Sequence, residues 1–299
     1  RFGPRGEQDA ELGESLEVLR ALLWRLTRAH PLVVAIDDLQ WSDFPGGRTL
    51  DFSGRQWRVK GPGYYGPGPN VFSDAPDCVW VDDEQQLHLT LSRRGGVWTS
   101  TEVVIEEALG YGDYVVTTVG RLDLLDPQAV LGLFLWEYGP CWDDAYTVWN
   151  AFNELDIEYS RWGDAGNELG QFVAQPYWYP GNIERYEVAF VPGEVTSHAI
   201  RWLADRVEYR CWRGDAADES AANLIHAWTY TGPHVPRPEQ PRFHLNLWKL
   251  GGVPAADQEV VALAAVELHL EVDQSLAAVG IGTDLIARVP GHGDVHVLE

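Results

Sequence analysis

The stretch 153–163 reads NELDIEYSRWG, and residues 154–159 within it alternate acidic and apolar side chains. A β-strand sends successive side chains to opposite faces of its sheet. The apolar side chains would then point into a core, and three carboxylates would share the opposite face: Glu154, Asp156 and Glu158. Because the alternation has a period of two residues, it predicts a half-buried strand rather than a helix.

Carboxylates two residues apart on one face of a strand lie roughly 6 to 7 Å from each other. At that distance, in surroundings of low dielectric constant, like charges raise the pKa of at least one of them. The pattern has two interpretations, a solvated acidic face or a catalytic set in which one carboxylate attacks and one protonated carboxyl assists a leaving group. The residue types of this strand leave both interpretations open.

Short runs rich in Val, Tyr, Trp and Thr, separated by Gly and Pro clusters, follow residue 47. Strands at this spacing predict an all-β fold, an antiparallel sandwich or barrel, rather than alternating helices and strands. The predicted strands are 56–60, 78–81, 86–91, 112–119, 130–136, 155–159, 171–176, 186–190, 197–202, 206–212, 244–248 and 260–270.

The composition is strongly acidic, with 45 acidic and 22 basic residues among 299 and a formal net charge of −23. Such a surface repels nucleic acid and anionic lipid, whereas an uncharged polysaccharide is not repelled. No run approaches the about 20 apolar residues that span a bilayer, and the first residues lack the layout of a signal peptide. We therefore expect no nucleic-acid or membrane partner. We also expect a monomer, and the sequence leaves the localisation open.

Cysteine and histidine do not cluster in this sequence. The cysteines Cys78, Cys141 and Cys211 lack the spacing of metal ligands and leave one thiol over in any disulfide scheme. We expect ordinary buried or partly exposed thiols, no redox role and no catalytic metal.

The first 45 residues follow a different pattern from the rest. Leucines between residues 12 and 26 recur at helical spacing, and after Pro31 the run 32–36 predicts a short buried strand that ends in Asp37 and Asp38. This segment resembles the Walker B region of signal-transduction ATPases found in large bacterial transcriptional regulators. The resemblance implies magnesium binding by the first aspartate and polarisation of water by the second.

The phosphate-binding loop of such ATPases is missing from the sequence. That loop needs glycines followed by Gly-Lys-Ser/Thr, and neither Lys60 nor Lys249, the only lysines, follows a glycine. We therefore interpret residues 1–45 as an orphan helix-strand appendage without ATPase activity.

The segment NELDIEYSRWG, together with QFVAQPYWYPGNIERYEV after it, resembles glycoside hydrolase family 16. The signature of that family is Glu-x-Asp-x-Glu on a strand of a concanavalin-like jelly roll. Six further stretches follow the order of the family: RQWRVKGPGYYGPGPNVFSD, VWVDDEQQLHLTL, VWTSTEVVIEEALGYGDYVV, VLGLFLWE, SHAIRWLADRVEYR and FHLNLWKLGGVP. The resemblance implies a two-sheet antiparallel β-sandwich of the jelly-roll type over residues 48–272, with 273–299 as a tail of unknown role.

The resemblance also implies roles for the three acids. Glu154 corresponds to the nucleophile, Glu158 to the general acid and then general base, and Asp156 to the neighbour that orients the nucleophile. Leu155 replaces a more usual isoleucine, and the loop 140–152 is longer than expected, which affects subsite shape rather than chemistry. The chemistry needs no cofactor, although some members of the family hold a structural calcium ion distant from the site.

The sequence contains 14 tryptophans, whose rings can stack on the C–H faces of sugars as well as fill a core. The candidate sugar-binding residues are Trp98, Trp136, Trp162 and Trp178, with Arg161, Gln175 and Tyr177 as polar partners. The tryptophans that lie in alternating strand patterns are predicted to belong to the core, namely Trp57, Trp80, Trp202 and Trp248. His198, at the start of a predicted strand, is expected to be a structural residue.

The resemblance implies a retaining endo-glycosidase that acts by double displacement on a β-glucan, a galactan or a related polysaccharide. The alternatives are a transglycosylase on the same scaffold, a non-catalytic carbohydrate-binding module and, remotely, an ATP-dependent regulator. Two close acids favour a catalyst over a pure binding module, which has no need for them.

Overall fold

The computed structural model describes residues 47–68, 70–137, 153–238 and 240–270. The predicted helix-strand appendage, the loop 140–152 with Cys141 and the tail 273–299 lie outside the described residues. No helix of the described ranges is long and apolar enough to cross a membrane.

Strands joined by turns, short loops and two short 3₁₀ helices, Leu122–Leu124 and Ala216–Asp218, make up the described chain. In chain order they are β1 (Thr49–Phe52), β2 (Arg55–Val59), β3 (Gly63–Tyr65), β4 (Asn70–Phe72), β5 (Val79–Val81), β6 (Leu87–Arg94), β7 (Val97–Val104), β8 (Gly112–Val119), β9 (Ala129–Trp136), β10 (Leu155–Tyr159), β11 (Gly170–Ala174), β12 (Ile183–Tyr186), β13 (Val195–Trp202), β14 (Val207–Arg213), β15 (Leu224–Tyr230), β16 (Arg242–Lys249) and β17 (Gln258–Leu270).

Sheet A carries the acidic strand. Its strands pair antiparallel in the order β1, β2, β7, β16, β9, β10, β11 and β12. Strand β10 therefore lies inside the sheet, hydrogen-bonded to β9 on one side and to β11 on the other.

Sheet B is the second layer. Its strands pair antiparallel in the order β15, β14, β13, β8, β17 and β6, and β6 also pairs with β5 and with the first half of β7. Strand β4 pairs with β3 and lies parallel to β7. Since the second half of β7 pairs with β16 of sheet A, this strand belongs to both sheets.

The apolar faces of the two sheets meet in one hydrophobic core. Phe172 of β11 stacks on Tyr209 of β14 with ring centroids 5.2 Å apart, and the Oη of Tyr159 on β10 lies 2.8 Å from Nδ1 of His198 on β13. Full burial of an apolar side chain contributes about 1.5 to 3 kcal/mol, so these contacts bind the layers together. The predicted all-β antiparallel fold is confirmed, and the shared core is that of a sandwich.

Two residue types in the core behave as predicted. His198 is fully buried and hydrogen-bonded, and burial lowers its pKa to about 3, so the predicted structural role is confirmed. Cys78 and Cys211 are free, buried thiols, as predicted.

The predicted strand 186–190 is wrong beyond its first residue, because β12 ends at Tyr186. Val188 and Phe190 are still buried in the core. The alternation in this segment therefore comes from an extended connection that packs on the core outside the sheet.

Candidate active site

Strand β10 separates its side chains as its sequence predicts. Leu155, Ile157 and Tyr159 are at most 1% exposed and belong to the core. Asp156 is 3% exposed on the opposite face of the strand, where Glu158 is partly exposed. We call this side of sheet A the acid face.

Cross-strand neighbours surround the acids on this face. Asp156 lies opposite Phe134 of β9 and Val173 of β11, and Glu158 lies opposite Gly132 and Gln171 on the same two strands. The acids therefore stand in the middle of a pleated sheet, where the flanking strands fix their backbone positions.

Two glutamines hold the carboxyls of β10. Gln175 donates to Asp156 through Nε2, with a nitrogen–oxygen distance of 2.9 Å, and Asp156 is also hydrogen-bonded to Glu154. Gln171 donates to Glu158. Gln175 was predicted to contact the sugar, which stays a prediction, and Gln171 was not among the candidates.

The three carboxyls resist losing all of their protons. Burial raises the pKa of Glu154 to about 8 and that of Glu158 to about 7, and it raises the pKa of Asp156. The charges of Glu158 and Glu102 raise the pKa of Glu154 further, while the hydrogen bonds from the two glutamines favour charge on Asp156 and Glu158. Close carboxyls titrate as a set, so at neutral pH protons and charge are shared along this strand.

Some of the predicted sugar-binding aromatics lie near one another. Tyr177, two residues after Gln175 in the chain, contacts Trp178 edge to face with ring centroids 5.2 Å apart. Trp162 contacts Trp248 in the same way at 6.2 Å. Trp136 ends the strand that pairs with β10 and meets the ring of His244 on β16 at 5.8 Å.

Two other predicted sugar-binding residues are engaged elsewhere. Trp98 packs against the hydrophobic core. Arg161 forms an ion pair with Glu187, with a nitrogen–oxygen distance of 3.0 Å, and donates to the carbonyl of Asn167. The structure does not place either side chain against the three acids, so a sugar contact for them stays a prediction.

The tryptophans assigned to the core divide into two groups. Trp57 and Trp202 are fully buried members of the core, which confirms that prediction. Trp248 lies two residues from Asn246 and shares its side of β16, which is the acid face, and Trp80 stacks on His88 outside the core cluster. Trp248 is buried, as predicted, although it lies outside the core shared by the two sheets. For Trp80, which is partly exposed, the prediction was wrong.

A buried charged cluster on the acid face was missed from the sequence. Glu102 of β7 is 2% exposed and pairs with Lys60, whose Nζ lies 3.0 Å from its Oε2. His244 of β16 binds the other carboxyl oxygen through Nδ1 at 3.0 Å. The alternation of FHLNLW, which places His244 and Asn246 opposite three apolar residues, was the available signal.

Gly132 keeps a gap open in the floor of this site. It lies between Asn246 of β16 and Glu158 of β10 in one cross-strand row. A Cβ at this position would come within 2.5 Å of Oδ1 of Asn246. Any larger residue would therefore push against the asparagine beside the candidate general acid.

Metal ligation finds no support in the described ranges, where no group of three or more His, Cys, Asp or Glu side chains is arranged to hold an ion. The structural calcium implied by the family resemblance stays a prediction.

No protein family model and no curated protein matches this chain. Solved structures do. A laminarinase from Flavobacterium sp. UMI-01 is 16% identical, with 76% of this chain and 96% of that chain covered and a TM-score of 0.52. A structure described as a native glycosidic hydrolase is 17% identical, with 72% and 90% covered and a TM-score of 0.50.

A family 16 glycosyl hydrolase from Mycobacterium smegmatis is 16% identical, with 71% of this chain and 91% of that chain covered and a TM-score of 0.46. At such identities a likeness shows the fold alone. The described chain shares the fold of the laminarinase and of the native glycosidic hydrolase.

Proposed function

We propose that this protein is a retaining endo-glycoside hydrolase that cleaves a polysaccharide of the β-glucan or galactan type. The observation that carries the proposal is the set of three carboxyls formed by Glu154, directly before β10, and by Asp156 and Glu158 on it, whose pKa values burial raises and which share protons at neutral pH. Glycoside hydrolysis needs one ionised and one protonated carboxyl at the scissile bond. The fold that is shared with a laminarinase makes laminarin the first substrate to test.

In the proposed reaction Glu154 attacks the anomeric carbon while Glu158 gives its proton to the departing glycosidic oxygen. This forms an ester between the sugar and Glu154 and releases the first product. Glu158, now ionised, takes a proton from water, and the resulting hydroxide breaks the ester with net retention of configuration. Asp156, bound to both Glu154 and Gln175, orients the nucleophile.

The assignment requires a proton to move when the substrate binds. In the free protein the pKa of Glu154 is raised further than that of Glu158, to about 8 against about 7, because Gln171 and the charge of Arg185 favour the ionised form of Glu158. A leaving-group sugar placed over Glu158 would exclude water there and favour its protonated form. The proposal therefore places the mobile proton on Glu158 only in the substrate complex.

Two buried polar atoms suggest where a sugar would bind. Nε1 of Trp162 and Oδ1 of Asn246 are buried and have no hydrogen-bond partner among the described residues. One is a donor and the other an acceptor, and sugar hydroxyls can satisfy both. We propose that Trp162, with Trp248 beside it, forms a subsite on the Glu158 side, and that Trp136, Tyr177 and Trp178 contact sugars on the Glu154 side.

The first test is turnover of a polysaccharide panel that includes laminarin, with the release of reducing ends as the readout. Wild-type protein should release them, and Glu154→Ala and Glu158→Ala should abolish release. Glu106→Gln, which changes an exposed acid paired with Arg58, is the matched control and should stay active. Binding of a glucan without turnover would mean a carbohydrate-binding module, and products longer than the substrate at high acceptor concentration would mean a transglycosylase.

Azide separates the two roles. In Glu158→Ala, azide and a substrate with a good leaving group should restore turnover with retained configuration, since the nucleophile survives. In Glu154→Ala, azide should attack the sugar directly and give the inverted glycosyl azide. Proton NMR of the first products decides between the assignments, and inversion by the unmutated protein or exchanged azide products would refute them.

A further inference from the structure

Beside the acidic strand, the acid face carries a second set of buried ionisable residues that the proposed reaction does not use. Lys60, Glu102 and His244 are 6%, 2% and 0% exposed. The lysine follows β2, and the other two lie on β7 and β16, so three separate segments converge on one carboxyl group. A gain in stability does not explain this cluster, because a protein with a buried ion pair is often no more stable than one with apolar residues of similar volume in its place.

The carboxyl of Glu102 is saturated with donors. Lys60 lies 3.0 Å from Oε2, and Nδ2 of Asn246 lies 3.4 Å from the same oxygen. His244 reaches Oε1 through Nδ1 at 3.0 Å. A carboxylate with this many donors stays ionised, and since it can only accept, Nδ1 of His244 must carry the hydrogen.

The donors are themselves held in place. Nζ of Lys60 donates to the carbonyl of Gly66 at 2.8 Å and lies 4.1 Å from the centre of the Phe72 ring. The His244 ring stacks on Phe134 at 4.8 Å. Phe134 is the cross-strand neighbour of Asp156, so His244 fills the layer between Glu102 and the acidic strand.

We propose that Lys60 and His244 are positioning residues of the candidate active site, which fix Glu102 as an ionised carboxylate on the acid face, in the cross-strand row that runs from Glu102 through Asn246 and Gly132 to Glu158 of the acidic strand. This inference rests on the proposed function and extends it. A fixed negative charge in this place opposes ionisation of Glu154, and the charge of Glu102 does raise the pKa of that residue. The cluster thereby adds to the effect of burial and raises the pH at which Glu154 ionises.

Other ionisable groups near the cluster must be accounted for in any test. The strand registers place the following on the acid face: Arg58 on β2, Arg242 on β16, Asp156 and Glu158 on β10, and Arg185 on β12. Glu137, after β9, accepts a hydrogen bond from Asn153 beside Glu154. All of them are left in place in the variants below, so a change in the titration of Glu154 reports the cluster itself.

The test is a titration of protein labelled with carbon-13 at the side-chain carboxyls of glutamate, followed by NMR. The resonance of Glu154 is assigned by its loss in Glu154→Gln. In Glu102→Gln the midpoint of Glu154 should fall by roughly 0.5 to 1 pH unit, because a like charge has been removed. In the matched control Glu106→Gln it should not move.

Lys60 and His244 are tested separately. In Lys60→Met the Glu102 carboxyl loses its cation, so its pKa should rise above the ordinary value. In Lys60→Arg a cation is kept, so Glu102 should stay ionised over the pH range of the titration. In His244→Phe, which keeps a ring against Phe134, the midpoint of Glu102 should rise as well. If Glu102→Gln does not fold because Lys60 is left buried alone, the double variant Lys60→Met with Glu102→Gln removes both charges and should show the same fall for Glu154.

An unchanged Glu154 midpoint in a folded Glu102→Gln or double variant overturns the inference, as does a Glu102 that stays ionised without Lys60. The titration is independent of turnover, so a protein that hydrolyses no polysaccharide refutes the proposed function while the NMR result still decides this one. If turnover is found, the acidic limb of kcat/KM against pH should move down with the Glu154 midpoint. A merely structural cluster would lower activity equally at every pH.

Discussion

Two groups of buried carboxyls on the same face of sheet A behave in opposite ways. Burial disfavours the charge of Glu102, but Lys60 and His244 outweigh it and hold the pKa of Glu102 down to about 2. Burial also disfavours the charge of Glu154, whose neighbours Glu158 and Glu102 add to the effect, so that its pKa is raised to about 8.

The comparison shows that the neighbours of a buried carboxyl, rather than its depth, decide whether it keeps a charge or a proton. The Glu102 cluster contains its own cation and is suited to keeping a constant charge. The acidic strand lacks an equivalent cation next to Glu154 among the described residues and is suited to holding and passing protons. Acid and base catalysis requires the second behaviour.

The largest effect should come from removing a carboxyl of the acidic strand. Glu158→Gln keeps the shape of the side chain but takes away its transferable proton, and positioned acid or base catalysis is worth about 10²- to 10⁴-fold in rate. The same isosteric change at Glu102 should cost less and shift the pH dependence instead. Initial rates of reducing-end release measure both, and equal losses in the two variants would remove the distinction between the clusters.

The next largest effect is a difference in stability between variants on the two faces of β10. Ile157→Ala creates a cavity in the core shared by both sheets and should lower the free energy of unfolding by about 2 to 5 kcal/mol. Glu158→Gln, one residue along the strand, should be neutral or stabilising, because it relieves a buried repulsion. Urea denaturation at pH 7 provides the comparison, and a similar loss in both variants would contradict the assignment of the faces.

The sequence allowed these faces to be predicted because alternation is a local property. The predicted strands 112–119 and 155–159 match β8 and β10 residue for residue. By contrast, β15 was not predicted. Leu224–Tyr230 is an edge strand that is partly exposed on both faces, so the alternation of apolar and polar residues along it is weak.

The charged cluster was beyond the reach of sequence reasoning for a different reason. Glu102 is separated from Lys60 by 42 residues and from His244 by 142, so no spacing rule connects them. Only the order of β2, β7 and β16 in sheet A brings them together. The acids of β10, by contrast, are neighbours in the chain and carry their own motif.

The dependence of stability on pH should also distinguish the two groups. The pKa of Glu154 is raised above its ordinary 4.5, so the folded protein holds a proton that the unfolded chain gives up, and stability is lost as the pH rises from about 5 to 8. A tenfold difference in proton affinity between the folded and unfolded chains corresponds to about 1.4 kcal/mol. Glu154→Gln should therefore match the wild type near pH 5 and exceed it by on the order of 2 kcal/mol at pH 8.

For Glu102 the sign is reversed. Its pKa is lowered from 4.5 to about 2, so its stabilising contribution is complete above pH 4.5 and is lost as the pH falls toward 2. Glu102→Gln should be less stable than the wild type at pH 7, and the gap should close in acid. Unfolding curves at pH 3, 5 and 8 check both variants, and parallel pH profiles for all three proteins would show that neither carboxyl has a shifted pKa.

The smallest predicted effect tests Arg185 on β12, a cation whose charge acts on the acidic strand. Its Nε donates to Oε1 of Gln171 at 3.3 Å, Gln171 in turn donates to Glu158, and the charge of the arginine lowers the pKa of Glu158. Arg185 is exposed, so solvent screens its charge. Arg185→Met should therefore raise the pKa of Glu158 only slightly, by roughly 0.2 to 0.4. Because the proposed general acid must be protonated to act, the alkaline limb of kcat/KM against pH should move upward by the same amount.

The control is Arg93→Met, which removes an exposed arginine that faces Asp257 instead and should leave the alkaline limb in place. If the acidic limb moves upward in Arg185→Met and the alkaline limb stays in place, Glu158 acts in its ionised form, which would exchange the roles of the two glutamates.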